Sequence, residues 1–202
     1  MLVALALIGS MAGCAGEPSA TAPASSDPAS ELPPNDVDEL KAIFDPELEP
    51  LGLRLTRGTL REPSSGGGYE ISSEGTHLAL YVEPTGPYST RQYLDGVITV
   101  TQMFAPEIFD RWSGLESFDI CQEPHAKVDP SAEPQPVTAI DMTEEQAREI
   151  DWETVSLVDL LARSLRQPPE IGLAVSPEMR ESPRYERAIR KALDRSGVGG
   201  LD

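Results

Sequence analysis

The chain has 202 residues and a formal net charge of −18 at pH 7. That length is enough to bury a sizeable hydrophobic core, and a single domain is the default for it. The strong negative charge repels phosphate backbones and anionic lipid headgroups, which argues against general binding of nucleic acid or of a membrane surface by the folded body.

The first fourteen residues join a short apolar run to a motif of small residues. Leu2 to Ile8 has the length of the apolar region of a signal peptide and is far shorter than the roughly 20 residues of a membrane-spanning helix. Met11-Ala12-Gly13-Cys14 follows it and resembles the lipobox of bacterial lipoproteins. The resemblance implies a signal peptide over residues 1–13 and a diacylglyceryl group on the sulfur of Cys14. The alternative is an ordinary buried segment with an incidental cysteine.

The segment after Cys14 lacks the composition of a folded unit. Residues 15–34 are mainly Ala, Ser, Pro and acidic residues, and such a segment cannot bury enough apolar surface to offset the entropy lost on ordering. We therefore predict a lipidated cysteine and disordered linker over residues 14–34 and a single α+β domain over residues 35–202. Two acyl chains attach a protein stably to a bilayer. The resemblance thus implies a place on the extracytoplasmic face of the cell membrane.

The first half of the domain is predicted to be a helix followed by three strands. The helix is capped by Asn35 and is expected to end at Asp45-Pro46. Strands are predicted at Leu53 to Glu62, with a bulge at Gly58, at Tyr69 to Ser72 and at Thr76 to Glu83. Joined in sequence, they predict an antiparallel meander.

The segment after Ser89 is compatible with two structures. Ser89 and Gln92 have the spacing of a capping box, and apolar residues up to Phe104 recur at helical spacing. Asp95-Gly96 is instead typical of a hairpin, and Val97 to Thr101 is β-branched throughout. A helix is favoured.

The rest of the chain alternates short strands with helices. The predicted elements are a turn from Pro106 to Trp112, a strand at Ser117 to Gln122, a proline-rich loop at Pro124 to Pro136, a helix opened by the Thr143/Gln146 capping box, a helix over Leu157 to Leu165, a strand at Ile171 to Val175, and a terminal helix from Ser182-Pro183 to Gly197 that buries Tyr185, Ile189 and Leu193. Together they predict an α+β fold, with a small antiparallel or mixed sheet packed by several helices.

One strand supplies the main catalytic candidates. Alternation with period two places His77, Tyr81 and Glu83 on the same face of Thr76 to Glu83. Such a face would offer a titrating base and two hydrogen-bonding groups on the floor of a groove. An ordinary solvent-facing or helix-covered surface is favoured, because the sequence places no nucleophile beside His77.

The second cysteine and second histidine favour structural interpretations. If Cys14 is lipidated, Cys121 has no disulfide partner in the chain. A pair of Cys121 with His77 or His125 would suggest thiol chemistry. A lone cysteine in a strand is more typical of a small buried hydrophobe, and His125 is expected to be a solvated loop residue.

Neither a metal nor another cofactor is predicted. The acidic groups between Asp141 and Glu153 lack the ligand spacing and turn glycine of a calcium loop. The glycine triplet at 66–68 lacks the Lys-Ser/Thr and following helix of a phosphate-binding loop. A solvated helix face and a hairpin connector are the favoured interpretations.

The C-terminal segment is locally basic within an acidic chain. Arg180, Arg184, Arg187 and Lys191 recur at helical spacing and are predicted to form one stripe. This stripe is a binding candidate for an acidic partner, a wall polymer or lipid headgroups. Interleaved Glu181 and Glu186 favour ordinary pairing within the helix.

The central block from Gly75 to Glu123 carries a second resemblance. Its stretches Thr-His-Leu-Ala-Leu-Tyr-Val-Glu and Gly-Leu-Glu-Ser-Phe-Asp-Ile-Cys-Gln-Glu-Pro look like those of uncharacterised lipoproteins of high-GC Gram-positive bacteria. The first functional hypothesis is a non-enzymatic envelope module that binds a partner protein or small ligand. The alternatives are an envelope hydrolase that uses His77 with Tyr81 or Glu83, and a purely structural envelope component.

Overall fold

The computed structural model describes residues 32–64, 69–125 and 135–197. The predicted signal peptide, Cys14, most of the linker and the glycine triplet lie outside these ranges. Much of the predicted proline-rich loop also lies outside them.

Six strands form one mixed sheet, which confirms the α+β class. The strands are β1 (Leu53–Pro63), β2 (Tyr69–Ile71), β3 (His77–Pro84), β4 (Ser117–Gln122), β5 (Thr138–Thr143) and β6 (Gly172–Val175). The helices are α1 (Val37–Leu48), α2 (Thr90–Phe104), α3 (Ile108–Arg111), α4 (Glu144–Arg148), α5 (Leu157–Leu165), α6 (Pro177–Arg180) and α7 (Pro183–Ser196), with a 3₁₀ turn at Glu49–Leu51. None of the described helices is both long enough and apolar enough to cross a bilayer.

The strand order is β2-β1-β3-β4-β5-β6. Neighbouring strands run antiparallel except β3 and β4, which are parallel because α2 and α3 carry the chain back between them. In this register His77 lies beside Ser117, and Tyr81 lies beside Cys121. The sheet thus brings together side chains that are 40 residues apart in the sequence.

The helix predicted after Ser89 is confirmed, including Val97 to Thr101. The Ser89 side chain accepts from the backbone of Gln92, and the Gln92 side chain accepts from the backbone of Ser89. Gly96 lies inside α2, where a Cβ would stand 2.5 Å from Oε1 of Gln122. The glycine is therefore explained by close helix–sheet packing and not by a hairpin turn.

Two expectations for the first strands are wrong. The three strands do not form a meander, because β1 lies between β2 and β3. The bulge in β1 falls between Leu55 and Arg57 and not at Gly58. Gly58 instead lies under α1, where a Cβ would stand 2.3 Å from Cδ1 of Leu40.

Two helix details also differ from expectation. Asp36 and not Asn35 caps α1, and the helix continues through Pro46 to Leu48, since Phe44 and Leu48 hold its last turns in the core. In α7, Leu193 is 38% exposed. The buried positions are the small residues Ala188 and Ala192, which allow α7 to approach α5 closely.

The core lies on one face of the sheet. Leu78, Leu80 and Val82 of β3 pack there against the helices. Phe44 of α1 meets the ring of Phe104 of α2 edge to face at 4.7 Å. A second apolar cluster joins α2 to α5, α6 and α7, so that α7 is held mainly by helix contacts.

Gly75 is the glycine whose replacement we expect to be most costly. A Cβ there would stand 2.1 Å from the backbone oxygen of Arg61, and a backbone atom of a central strand cannot move aside. We expect Gly75→Ala to lower the free energy of unfolding, measured in urea, by about 1–3 kcal/mol. Gly86→Ala is the control, because a Cβ at Gly86 would meet nothing within 4 Å. Equal stability of the two variants would contradict this account.

Candidate functional site

The sheet face opposite the core carries the predicted catalytic candidates. His77, Tyr81 and Glu83 alternate along β3 on this face, as predicted, and the neighbouring strand β4 adds Ser117 and Asp119. The three candidates nevertheless have different surroundings and different partners. They do not converge on a common cleft among the described residues.

His77 is buried, with 1% of its surface exposed. A hydrogen bond of 2.8 Å joins its Nδ1 to Oγ of Ser117. Its Nε2 lies 3.5 Å from Oδ2 of Asp119 but has no hydrogen-bond partner in the described part of the chain. The ring of Tyr69 stacks on the imidazole at a centroid distance of 4.3 Å. The imidazole is therefore covered and is held in place on three sides.

Ser117, His77 and Asp119 follow one another as in a hydrolase triad, but the ring nitrogens are exchanged, since Ser117 meets Nδ1 and Asp119 lies near Nε2. The structure thus supplies the hydroxyl beside His77 that the sequence did not indicate. A triad also needs an open nucleophile and hydrogen-bond donors for the oxyanion. Ser117 is only 9% exposed, and its backbone N–H donates to the Thr76 oxygen within the sheet. This arrangement gives His77 Nδ1 a buried partner but does not present an open nucleophile.

Tyr81 and Glu83 each bind an arginine of β1. Nη2 of Arg61 donates to the Tyr81 hydroxyl at 2.6 Å, and Arg57 lies 4.0 Å from the centre of the Tyr81 ring. Arg54 donates to Glu83 at 2.7 Å. Burial raises the pKa of Tyr81 above its usual value although Arg61 opposes this, so the phenol stays neutral at physiological pH. It is therefore a poor general base.

Cys121 is a buried and unreactive thiol, as the sequence favoured. Burial raises its pKa to about 12, and the carboxylate of Asp119 acts in the same direction. Its Sγ lies 3.9 Å from Oδ1 of Asp119. His125 is exposed, and its Nδ1 lies 3.1 Å from the Pro84 oxygen. Neither histidine forms a hydrogen bond with the thiol within the described residues.

A groove between α5 and α7 collects three of the four predicted basic residues. It has a volume of about 300 Å³, and Arg184, Arg187 and Lys191 line it together with Ser156, Leu157, Val158 and Ala188. The predicted stripe is therefore real at these three positions. Arg180 lies on α6 outside the groove, where its Nε donates to the Val175 oxygen at 2.8 Å.

The pairing of these bases differs from the favoured interpretation. Arg184 forms an ion pair with Asp95 of α2. Among the described residues, no ion pair joins the bases of the groove to Glu181 or Glu186. Arg187 and Lys191 thus face solvent as two cations without a carboxylate partner in the described ranges.

Comparisons do not assign the chain to a known group. Searches against protein-family models, curated proteins and solved structures find no match. Within the described residues, no group of three histidine, cysteine or acidic side chains is placed to hold a metal ion.

Sequence reasoning missed the polar partners that lie on other strands. Ser117 and the ion pair of Arg57 with Glu123, at 2.7 Å, depend on which strands are neighbours. Sequence spacing alone does not give that information. The N-terminus of α5 in the groove did leave a signal, because Ser156 and Asp159 have capping-box spacing.

The raised pKa of Cys121 leads to a test of thiol reactivity. At pH 8 the native thiolate fraction would be more than about a thousandfold smaller than that of an unfolded cysteine with a pKa near 8.5. We expect iodoacetamide to leave Cys121 unmodified in the native protein and to modify it readily in guanidinium. Mass spectrometry of the peptide that contains Cys121 separates this signal from Cys14. Rapid native labelling of that peptide would contradict the buried thiol.

Proposed function

We propose that this protein is a lipid-anchored, extracytoplasmic envelope module that binds a partner protein or small ligand and catalyses no reaction. The anchor is a diacylglyceryl group on Cys14, which the lipobox-like Met11-Ala12-Gly13-Cys14 supports. The observation that carries the binding role is the groove of Arg184, Arg187 and Lys191. A cationic groove on a chain of net charge −18 favours an acidic ligand.

The groove supports a binding role because three cationic side chains line it on a chain with a strongly negative net charge. Surface cations of folded proteins are commonly matched by nearby acids, and this chain has 34 acidic residues for 16 basic ones. Arg187 and Lys191 have no ion pair among the described residues, and neither does Arg190 on the same helix, so what sets the two apart is that they line one groove with Arg184.

A hydrolase that uses His77 is the weaker hypothesis. Its histidine lies beneath Tyr69, and the hydroxyl that hydrogen-bonds to it belongs to Ser117, a buried strand residue. Tyr81 is held by Arg61, and Glu83 is held by Arg54. Each of these side chains is therefore already bound by a neighbouring residue of the protein. The groove between α5 and α7 is the better candidate for a functional site.

The anchor is tested by removing one sulfur at a time. We expect Cys14→Ser to move the protein from the membrane fraction to the soluble fraction, since the acyl chains supply the attachment. Cys121→Ser is the matched control and should remain in the membrane fraction. Mass spectrometry of the native protein should show a lipidated Cys14 as the first residue. An unmodified sulfur or a retained leader would overturn the anchor.

The binding role is tested with two charge-matched double variants. We expect Arg187→Gln/Lys191→Gln to lose the partner or ligand that copurifies or cross-links with the wild-type chain in membranes. Arg148→Gln/Arg190→Gln removes the same charge outside the groove and should retain it. If both double variants behave like the wild type, the groove is not the binding site.

A further inference from the structure

The groove between α5 and α7 combines apolar and cationic lining. Leu157 and Ala188 are largely buried and provide apolar surface, whereas Arg187 and Lys191 are exposed. Its volume of about 300 Å³ lies at the lower end of the range for small-molecule sites. The size therefore favours a small ligand over a polymer segment.

The start of α5 adds neutral donors to the same groove. Leu157 and Val158 are the first two residues of this nine-residue helix, so their backbone N–H groups have no acceptor within the helix. The Ser156 side chain accepts from the backbone of Asp159, and neither of these two N–H groups has a hydrogen-bond partner in the described part of the chain. The Asp159 carboxylate is itself turned to Ser156 and to Arg195. The negative charge of Asp159 near this helix start is thus offset by Arg195.

Arg184 lines the groove as well. Its guanidinium pairs with Asp95 of α2 and adds positive charge beside the groove. Arg187 and Lys191 lie one helical turn apart on the same side of α7. Among the described residues, two cations without an ion pair and two helix N–H groups therefore belong to residues that line one small groove, beside the guanidinium of Arg184.

We propose that this groove binds a small phosphate monoester, with the phosphate at the cations and the start of α5 and its apolar part against Leu157 and Ala188. A phosphate monoester carries a charge of about −1.5 to −2 and three acceptor oxygens. A carboxylate has one charge and two oxygens, which a single arginine can satisfy. The number of donors therefore matches a phosphate better. This inference rests on the proposed function and names the class of its ligand.

A soluble ester is favoured over a lipid headgroup as the source of the phosphate. The net charge of −18 repels an anionic bilayer surface, whereas a small ligand reaches the groove without bringing the two surfaces together. The apolar lining has room for a short substituent. It does not have room for an acyl chain.

The test is calorimetric titration of the full-length protein in neutral detergent. The probes are phenyl phosphate, inorganic phosphate and benzoate, and a separate arm uses phosphatidylcholine vesicles that contain phosphatidic acid. We expect saturable 1:1 binding of phenyl phosphate, weaker binding of inorganic phosphate because it lacks the ring, and much weaker binding of benzoate. Binding should weaken as salt rises.

Single variants assign the binding to the groove. Arg187→Gln and Lys191→Gln should each weaken phenyl phosphate binding by about tenfold or more, because each removes a charge-assisted contact. Arg190→Gln lies on the same helix outside the groove and should change it less than about twofold. All three side chains are exposed, so circular dichroism should show folded variants.

The inference is overturned by absent phenyl phosphate binding, by benzoate binding of equal strength, by equal losses in Arg190→Gln, or by binding to vesicles alone. Its failure is distinguishable from failure of the proposed function. If the Arg187/Lys191 double variant still loses its membrane partner while no phosphate probe binds, the groove recognises a different acidic group and the binding role stands.

Discussion

The fold depends on the exclusion of water from both edges of β3 and from both faces of its first half. Leu78 and Leu80 are fully buried on the helix side, and His77 and Ala79 are buried on the opposite side. β1 and β4 bind its backbone along both edges. A polar ring inside such a strand needs polar neighbours, and Ser117 meets that need. The cluster around His77 is thus a consequence of where the strand lies.

Local signals predicted the helices well because they act within a few residues. The capping box of Ser89 outweighed both the β-branched run and Asp95-Gly96, since α2 is anchored by a buried apolar face. The strand β5 was missed although its residues alternate between buried and less buried, because it follows a proline-rich stretch. The phase of the leucines in β1 also carried information. Leu53 and Leu55 are odd-numbered and Leu60 is even-numbered, so a buried face requires an extra residue between them.

The sequence indicated the α7 side of the candidate groove but not the α5 side. Spacings of three and four residues placed Arg184, Arg187 and Lys191 on one side of a helix. What the sequence could not supply was the neighbour of that helix, because α5 and α7 meet through small residues such as Ala188 that give no directional signal. The sequence likewise did not indicate that β3 and β4 pair in parallel, because α2 and α3 separate the two strands in the chain. Long-range neighbours are set by packing of the whole chain and not by local pattern.

The extra residue of β1 has an electrostatic consequence. Thr56 has no place in the regular ladder, and its Oγ1 lies 2.8 Å from Oε2 of Glu123 while Arg57 holds the other carboxylate oxygen. Glu123 directly follows β4, so this buried acid spans β3 to reach the far strand. If β1 slid by one residue, the carboxylate would lose its cation inside the protein. The contacts of Glu123 with Thr56 and Arg57 therefore help to fix the register of β1 relative to β3 and β4.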